Sequence, residues 1–365
     1  MTVLVGILNK QAISVAADSA VTVGGGVKVY NTANKIFNLA KGRPVGIAIY
    51  GNAALNGCVP WEVVIKMYRK HIADNKFPKL SDYSFDFFKY VEDFSHKHIS
   101  DIDALNVLKE NIIRFWSDDI TRGLREGEQF DAPIVSLALP ALKDKLTVLT
   151  ANLRKNKILD VYKAVKIEDF LLAIGDILEV IKNQITHNGG AWDDFQPLVQ
   201  DCLFRIFTTN TLKNPNVSGV AIFGYGEDEI YPSLQEYLVY NIVLGVQRIE
   251  KKPDKVIDET NNAVIYPMAQ RDVIETFIEG VSHRIRDTFL DATEKTIKAT
   301  IKGVSDLIEP HNPLLAANIK TLDYTGVVDQ YRDTINKIIS RDQVSPLIQT
   351  VASMGKEDIS DLAEN

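Results

Sequence analysis

Cysteine and clustered histidine are scarce in this chain, and both scarcities exclude classes of binding site. Only two cysteines occur among the 365 residues. Cys58 and Cys202 lie in separate apolar stretches, so we predict two buried, reduced core residues and neither a disulfide framework nor a thiolate metal site. The six histidines show no spacing that is typical of metal ligands beyond His96-x-His98, which we assign to the solvated face of a polar helix. We therefore expect no metal ion and no other cofactor.

Basic clusters and a targeting segment are also missing. The opening, MTVLVGILNKQAISVAADSA, places no basic segment ahead of a long apolar run, so it predicts neither a signal peptide nor a membrane anchor. The net charge is -7, and basic residues form only short pieces such as Lys251-Lys252, which argues against a nucleic-acid partner. We therefore expect a cytoplasmic protein that binds neither nucleic acid nor membrane.

The composition is that of an ordinary globular protein, with 45% hydrophobic and 24% charged residues. Residues 2–8 and 12–17 are short and rich in valine and isoleucine, which predicts two strands joined by a hairpin at Asn9-Lys10-Gln11. The apolar period becomes helical from Trp61 onward. The opening of the chain is therefore expected to be rich in β-strands, with a helical segment after it.

The later segments alternate between strand and helix patterns. In chain order, we predict helices to about residue 115, a strand pair at residues 132–139 and 146–153, helices at 168–184 and 195–207, an apolar strand at 219–225, and helices from Gln270 onward. Strands, helices, strands and helices in that order favour a layered α+β fold over a doubly wound parallel sheet.

The first two residues allow a specific chemistry. Methionine aminopeptidases remove Met1 when a small residue follows, and Thr2 would then carry its hydroxyl beside a free α-amino group. That pair is a nucleophile with its own base. An α-amine has an unperturbed pKa of about 8, so it can accept the hydroxyl proton near neutral pH, and a nearby lysine would favour its neutral form. A chain that keeps Met1 would be inert.

Four segments near the start of the chain have a distinctive order and spacing. They are TVLVGI at residues 2–7, VAADS at 15–19, NKIF at 34–37 and GIAIYGNA at 46–53, and SGVAIFGY follows later at 218–225. Together they resemble the motifs of the proteasome β-subunit family and its bacterial relatives, which are N-terminal nucleophile hydrolases. The resemblance covers the first sixty residues well, the stretch from 217 to 290 moderately, and the helical region between them hardly at all.

The resemblance implies a catalytic role for each matching residue. Thr2 would attack an amide carbonyl, Lys35 would lower the proton affinity of the terminal amine, and Asp18 would pair with Lys35. The backbone N–H of Gly51 would stabilise the tetrahedral oxyanion. Because Lys35 needs one extra residue relative to the usual register, Lys28 is the alternative lysine.

The resemblance also implies a substrate class and an assembly. Val21, Ile49 and Ala53 would line the pocket for the residue before the cleaved bond, and all three are apolar. A peptide or protein substrate with an apolar residue at that position is therefore expected. Family members assemble into rings, so we also expect a homo-oligomer.

Two features depart from the family pattern. The family has a Gly-Ser-Gly step ahead of its third main helix, with the serine near the terminal amine, whereas this chain reads YPMAQ at residues 266–270. Residues 355–365 have a polar, helix-like pattern where the family has a strand pair, so we expect the last strands of the family to be missing from this sequence. Two alternatives therefore stay open: a catalytically inactive, proteasome-like structural subunit, and a small-molecule amidase of the same superfamily.

The fold implied by the resemblance is a four-layer αββα sandwich, in which two sheets pack face to face and helices cover them. Residues 1–61 would form its N-terminal part. Residues 62–215 would form a mainly helical region with an insertion, and residues 216–365 the C-terminal part with its helices. The expected function is that of a threonine protease acting through Thr2.

Overall fold

The computed structural model describes residues 3–18, 21–23, 28–30, 34–124, 137–209 and 217–364. It shows a mixed α/β protein, 59% helical and 19% strand, with antiparallel sheets. Strands open the chain and helices follow them, and a second set of strands precedes the C-terminal helices. The expected α+β class is thereby confirmed at this coarse level.

The strands are short at the start of the chain and longer in its middle. In chain order they are β1 Val3–Asn9, β2 Ile13–Ala17, β3 Val21–Val23, β4 Lys28–Tyr30, β5 Ile36–Asn38, β6 Val45–Gly51, β7 Ala54–Leu55, β8 Val59–Pro60, β9 Ser218–Gly224, β10 Ser233–Val243, β11 Val246–Lys251, β12 Lys255–Val256 and β13 Ala263–Ala269.

The helices fall between β8 and β9 and after β13. They are α1 Trp61–Ile72, α2 Leu80–His98, α3 Asp101–Arg114, α4 Leu139–Arg154, α5 Ile167–Ala173, α6 Gly175–His187, α7 Trp192–Thr208, α8 Arg271–Glu279, α9 His283–Ile308, α10 Pro313–Lys320, α11 Thr325–Ile339, α12 Ser345–Ser353 and α13 Lys356–Glu364. π-Helical turns at Phe115–Thr121 and Ser340–Val344 follow α3 and α11.

The chain divides into two compact units. The first comprises Met1–Ile36, Phe223–Leu234 and Asp254–Asn365, and the second comprises Phe37–Ile222 and Gln235–Pro253. Both units are therefore discontinuous in sequence.

A three-stranded antiparallel sheet in the order β13-β1-β2 organises the first unit. Side chains alternate between the two faces of a strand. Leu4 and Leu8 are fully buried on one face of β1. Ile7, on the other face, belongs to an apolar cluster with Val351 of α12 and Ile359 of α13. The two C-terminal helices thus cover one face of the sheet that carries the start of the chain.

The second unit has a sheet core and a separate helical core. Its sheet has the strand order β11-β10-β9-β6-β5, and the fully buried side chains of Trp61, Tyr68 and Phe87 from α1 and α2 belong to the sheet core. The second core gathers apolar side chains from α3 to α7, including Phe170 and Ile181.

The strand predicted at residues 146–153 is wrong, because this stretch belongs to α4. Leu142, Leu146 and Leu153 are buried on one side of that helix, and intervals of four and seven residues return to the same helical face. Leucine favours a helix at least as well as a strand, so packing against α7 decides the outcome. Residues 132–136 of the partner strand lie outside the described residues.

Cys58 is exposed, which corrects the prediction that both cysteines are core residues. It follows a tight turn between β7 and β8 in which Asn56 has φ 51° and Gly57 has φ 70°. Positive φ at both central residues is the geometry of the Asn-Gly hairpin turn. The turn buries Leu55 and brings Cys58 to the surface.

Thiol labelling is expected to modify one cysteine of the native chain. Cys202 is buried, and burial raises the pKa of its thiol to about 12, so it carries almost no reactive thiolate near pH 8. Cys58 is accessible, although desolvation and the Asp103 carboxylate raise the pKa of its thiol. A mass shift for one label in the native protein and two after denaturation is the expected result. Cys58→Ser should remove the native label, and two native labels would contradict this packing of α7.

Candidate active site

The hairpin of β1 and β2 places Asp18 beside the start of the chain. Asn9 closes the turn, since its side-chain oxygen accepts hydrogen bonds from the backbone of Gln11 at 2.8 Å and Ala12 at 3.1 Å. The resulting register pairs Leu4 with Ala17. The next residue, Asp18, therefore lies against Val3, and its backbone N–H donates to the Val3 carbonyl at 3.1 Å. The hairpin predicted at residues 9–11 is confirmed.

One oxygen of the Asp18 carboxylate accepts hydrogen bonds from a backbone N–H and from a lysine side chain. Asp18 Oδ1 accepts a hydrogen bond from the Val3 backbone N–H at 2.9 Å and another from Lys35 Nζ at 2.7 Å. The Lys35 side chain is 8% exposed and that of Asp18 is 30% exposed. A buried ammonium group requires a negative partner to offset its lost hydration. Asp18 supplies that partner, and the pairing with Lys35 expected from the sequence is present.

The Val3 nitrogen belongs to the peptide bond that joins Thr2 to Val3. Thr2 itself lies outside the described residues, as does the side chain of Val21. The Asp18 carboxylate therefore holds the peptide bond next to the candidate nucleophile and also holds the Lys35 ammonium. One carboxylate oxygen thus links the Lys35 ammonium to the backbone N–H of Val3.

The end of β13 lies opposite Val3 on the other side of β1. Val3 pairs with Ala269, which has φ 60°, and α8 begins two residues later at Arg271. A left-handed conformation costs an alanine roughly 1–2 kcal/mol. Residues 266–270 therefore include a strained strand end that pairs with Val3 at the start of β1.

Gly51 lies in the second unit, at the end of β6. It has φ 74°, and a Cβ atom there would come within 2.5 Å of the Val217 carbonyl oxygen. The same oxygen accepts a hydrogen bond from the Asn52 backbone N–H at 3.0 Å, and the Asn52 carbonyl accepts one from the Ser218 hydroxyl at 2.8 Å. Glycine is therefore required by the backbone at this bend, quite apart from any role in binding an oxyanion.

The expected pocket residues have different environments. Ile49 is 6% exposed and belongs to the sheet core of the second unit. Ala53 is exposed and directly precedes β7. Ile49 is thus held by core packing, whereas Ala53 is open to solvent.

An apolar cavity that the sequence does not predict lies beside Asp18 in the first unit. It has a volume of about 800 Å³, and alternate residues of β1 line it together with α8 and α13. Its apolar lining includes Val3, Val5, Ile7, Ile265, Ile274, Phe277 and Leu362. Asp18 and Glu364 bring charge to the lining. A cavity of this size and character is suited to an apolar small molecule or side chain.

The described ranges of the chain hold neither a cluster of metal-ligating side chains nor a membrane-crossing helix. Within these ranges, no group of three or more histidine, cysteine or acidic side chains is placed to hold a metal ion. No helix there combines the length and the apolar character needed to cross a membrane.

The resemblance to the proteasome β-subunit family rests on the short motifs around Thr2, Asp18, Lys35 and Gly51. Comparisons with protein-family models, with curated proteins and with solved structures each found no match.

Proposed function

We propose that this chain is an N-terminal threonine hydrolase that cleaves amide bonds once Met1 has been removed. The observation that carries the proposal is the Asp18 carboxylate, which binds both Lys35 Nζ and the peptide nitrogen that follows Thr2. If Asp18 served only to close a turn at the end of β2, it would not need to pair with the buried Lys35 ammonium group. The pair instead fixes a cation near the α-amine that would act as the base.

The proposed reaction proceeds through an acyl-enzyme. The neutral α-amine of Thr2 takes the hydroxyl proton while the oxygen attacks the carbonyl carbon, and the amine then donates that proton to the leaving nitrogen. Water then attacks the resulting ester while the same amine takes a proton from the water. The amine donates that proton to Thr2 Oγ as the ester bond breaks, which releases the acid product and restores the hydroxyl. Lys35 disfavours the protonated amine because like charges repel, and Asp18 holds Lys35 in place. Gly51 is the proposed donor to the oxyanion.

The proposed fold is the four-layer αββα sandwich, with residues 62–215 as a helical region that includes an insertion. Two observations support it: the antiparallel sheet β13-β1-β2 has helices on one face, and β1 lies at the start of the chain.

Cytoplasmic location, a peptide or protein substrate and assembly into a homo-oligomer belong to the same proposal. An inactive structural subunit is the alternative that lacks a free Thr2.

A small-molecule amidase is the second candidate function, and the cavity of about 800 Å³ beside Asp18 favours it. Both candidates predict apolar substrates, because a charged group would lose hydration against Val5, Ile7 and Phe277. We expect amides that present leucine or tyrosine before the cleaved bond to exceed those with aspartate or arginine by roughly tenfold or more in kcat/KM.

A set of fluorogenic amides measures this preference. Matched single-residue amides and longer peptides with the same leucine separate the two candidates, since an amidase gains nothing from added peptide length. A preference for an acidic or basic residue would show that the pocket is built from other positions.

The proposal is tested with two forms of the same chain. One form is released from a cleavable fusion so that it begins at Thr2, and the other retains one additional residue before Thr2. Hydrolysis by the first form alone is the expected result, because the second has no free amine on Thr2. Equal hydrolysis by both forms would exclude the N-terminal mechanism, and no hydrolysis by either would favour the inactive subunit.

A further inference from the structure

The backbone bend at the end of β6 is held by the residues that open β9. Beyond Gly51, the Asn52 backbone N–H donates to the Val217 carbonyl at 3.0 Å, and the Asn52 carbonyl accepts a hydrogen bond from the Ser218 hydroxyl at 2.8 Å. The Trp61 indole N–H in turn donates to the Ser218 hydroxyl oxygen at 2.8 Å. The chain that follows Gly51 is therefore fixed by a connected set of hydrogen bonds.

Tyr50, which directly precedes Gly51, is held by a different contact. Strands β6, β9 and β10 are neighbours in that order. The Tyr50 hydroxyl donates to Glu236 Oε1 on β10, so the Tyr50 side chain crosses β9. It crosses at Gly219, where an added Cβ atom would collide with the Tyr50 ring. Glycine within a strand often marks such a close approach, and here the approaching group is Tyr50.

Buried groups thus support a stretch of backbone that is itself accessible. Glu236 is 8% exposed and Gly219 is buried, whereas Gly51 is exposed. A buried carboxylate is costly unless it accepts hydrogen bonds, so the Tyr50 hydroxyl stabilises Glu236 in its place. A hydrogen-bond donor for a transition state requires this combination of a rigid support and an open position.

We propose that Tyr50 is a positioning residue, whose contacts with Gly219 and Glu236 fix the direction of the Gly51 backbone N–H. The inference rests on the proposed function, in which that N–H stabilises the oxyanion. Such a donor is effective only at about 2.7–3.1 Å from the position that the oxyanion occupies. The Gly51 N–H belongs to the peptide bond between Tyr50 and Gly51, so a shift of Tyr50 tilts the donor itself.

Tyr50→Phe removes the hydroxyl and keeps the ring over Gly219. We expect kcat to fall about tenfold with little change in KM, because the oxyanion forms only after attack on the carbonyl. The inhibition constant of a leucine aldehyde, whose adduct with Thr2 is tetrahedral, should rise by the same factor. Tyr68→Phe is the matched control, since the Tyr68 hydroxyl donates to Asp86 Oδ2 at 2.9 Å within the same unit. It should leave both constants unchanged, and unchanged constants for Tyr50→Phe as well would overturn the proposal.

Gly219→Ala tests the contact between the ring and β9. The added methyl group should displace the Tyr50 side chain, so both the melting temperature and kcat should fall. Adding Tyr50→Leu removes the ring atoms that meet this methyl group, and the double variant should therefore recover melting temperature. It should not recover kcat, because leucine donates no hydrogen bond to Glu236. Recovery of kcat together with melting temperature would show that the contact is structural only, contrary to the proposal.

Hydrogen exchange in the peptide spanning residues 50–53 tests the bend without any substrate. The Asn52 amide is bonded to the Val217 carbonyl, and Tyr50→Phe should speed its exchange about fivefold, whereas Tyr68→Phe should not. Equal exchange in Tyr50→Phe and the parent chain would overturn the proposal whether or not the chain hydrolyses amides. If Tyr50→Phe speeds the exchange but a parent chain that begins at Thr2 hydrolyses nothing, the proposed function fails and the Tyr50 contact is structural.

Discussion

Thr2→Ala is expected to abolish hydrolysis, lowering kcat by roughly 10⁴-fold or more. Alanine removes the attacking hydroxyl while leaving the terminal amine, and loss of a nucleophile typically costs at least this factor. Methionine aminopeptidases also act ahead of alanine, so the variant should keep the free terminal amine and lose only the hydroxyl and one methyl group of Thr2. Initial rates on a leucine amide substrate measure the effect.

Thr2→Ser is the matched control for this variant, because serine keeps a hydroxyl beside the amine. It should retain measurable turnover, whereas Thr2→Ala should not. Both variants should melt at the temperature of the parent chain, since a single hydroxyl at the chain terminus contributes little to stability. Full turnover by Thr2→Ala would exclude Thr2 as the nucleophile.

Lys35→Ala should lower kcat by about a hundredfold or more and should also change the pH dependence of the reaction. The α-amine acts as a base only when it is neutral, so activity falls as the pH drops through its pKa. Removing the Lys35 ammonium removes a repelling charge and raises that pKa. The acid limb of the kcat/KM profile is therefore expected to move to higher pH. A purely structural ion pair would lower activity without moving this limb.

Lys28→Ala separates the two candidate lysines. The substitution removes the ammonium group of the lysine that would be catalytic in the alternative alignment to the family. If Lys35 is the catalytic lysine, Lys28→Ala should leave kcat and the acid limb of the kcat/KM profile close to those of the parent chain. Asp18→Asn is a second comparison, because it keeps the side-chain shape but leaves Lys35 buried without its counter-charge. It should lower both stability and activity. A loss confined to Lys28→Ala would show that Lys28 is the catalytic lysine.

Local sequence patterns predicted the part of the site that local structure builds. The β1–β2 hairpin depends on alternating apolar residues and on Asn9, which closes its own turn. Once the hairpin forms, its register places Asp18 beside Val3 without help from distant residues. The pairing with Lys35 spans only 17 residues. The hairpin and the position of Asp18 therefore follow from short-range patterns that can be recognised in the sequence.

Two predictions were wrong, the strand at residues 146–153 and the burial of Cys58. Leucine-rich residues 146–153 fit a strand or a helix, although Leu142, Leu146 and Leu153 show the helical period when taken together. Asn56-Gly57 is a strong hairpin signal, and using it would have predicted the exposure of Cys58.

The cavity beside Asp18 could not be predicted from local patterns. Its walls come from β1 at one end of the chain and from α13 at the other. Asn9 shows the same long-range packing, since its side-chain amide donates to the carbonyls of Val351 and Met354, both at 2.9 Å. Contacts between such distant segments depend on the tertiary fold and leave no periodic signal in the sequence.

The role of Thr2 as nucleophile is tested most directly by the mass of the chain after reaction with an acylating electrophile such as a β-lactone, followed by peptide sequencing. We expect a chain that lacks Met1 and carries one acyl group, located on Thr2. The Thr2→Ala chain should remain unmodified under the same conditions. Acylation of Thr2→Ala at the parent rate, or turnover by a chain that retains Met1, would contradict an N-terminal threonine nucleophile.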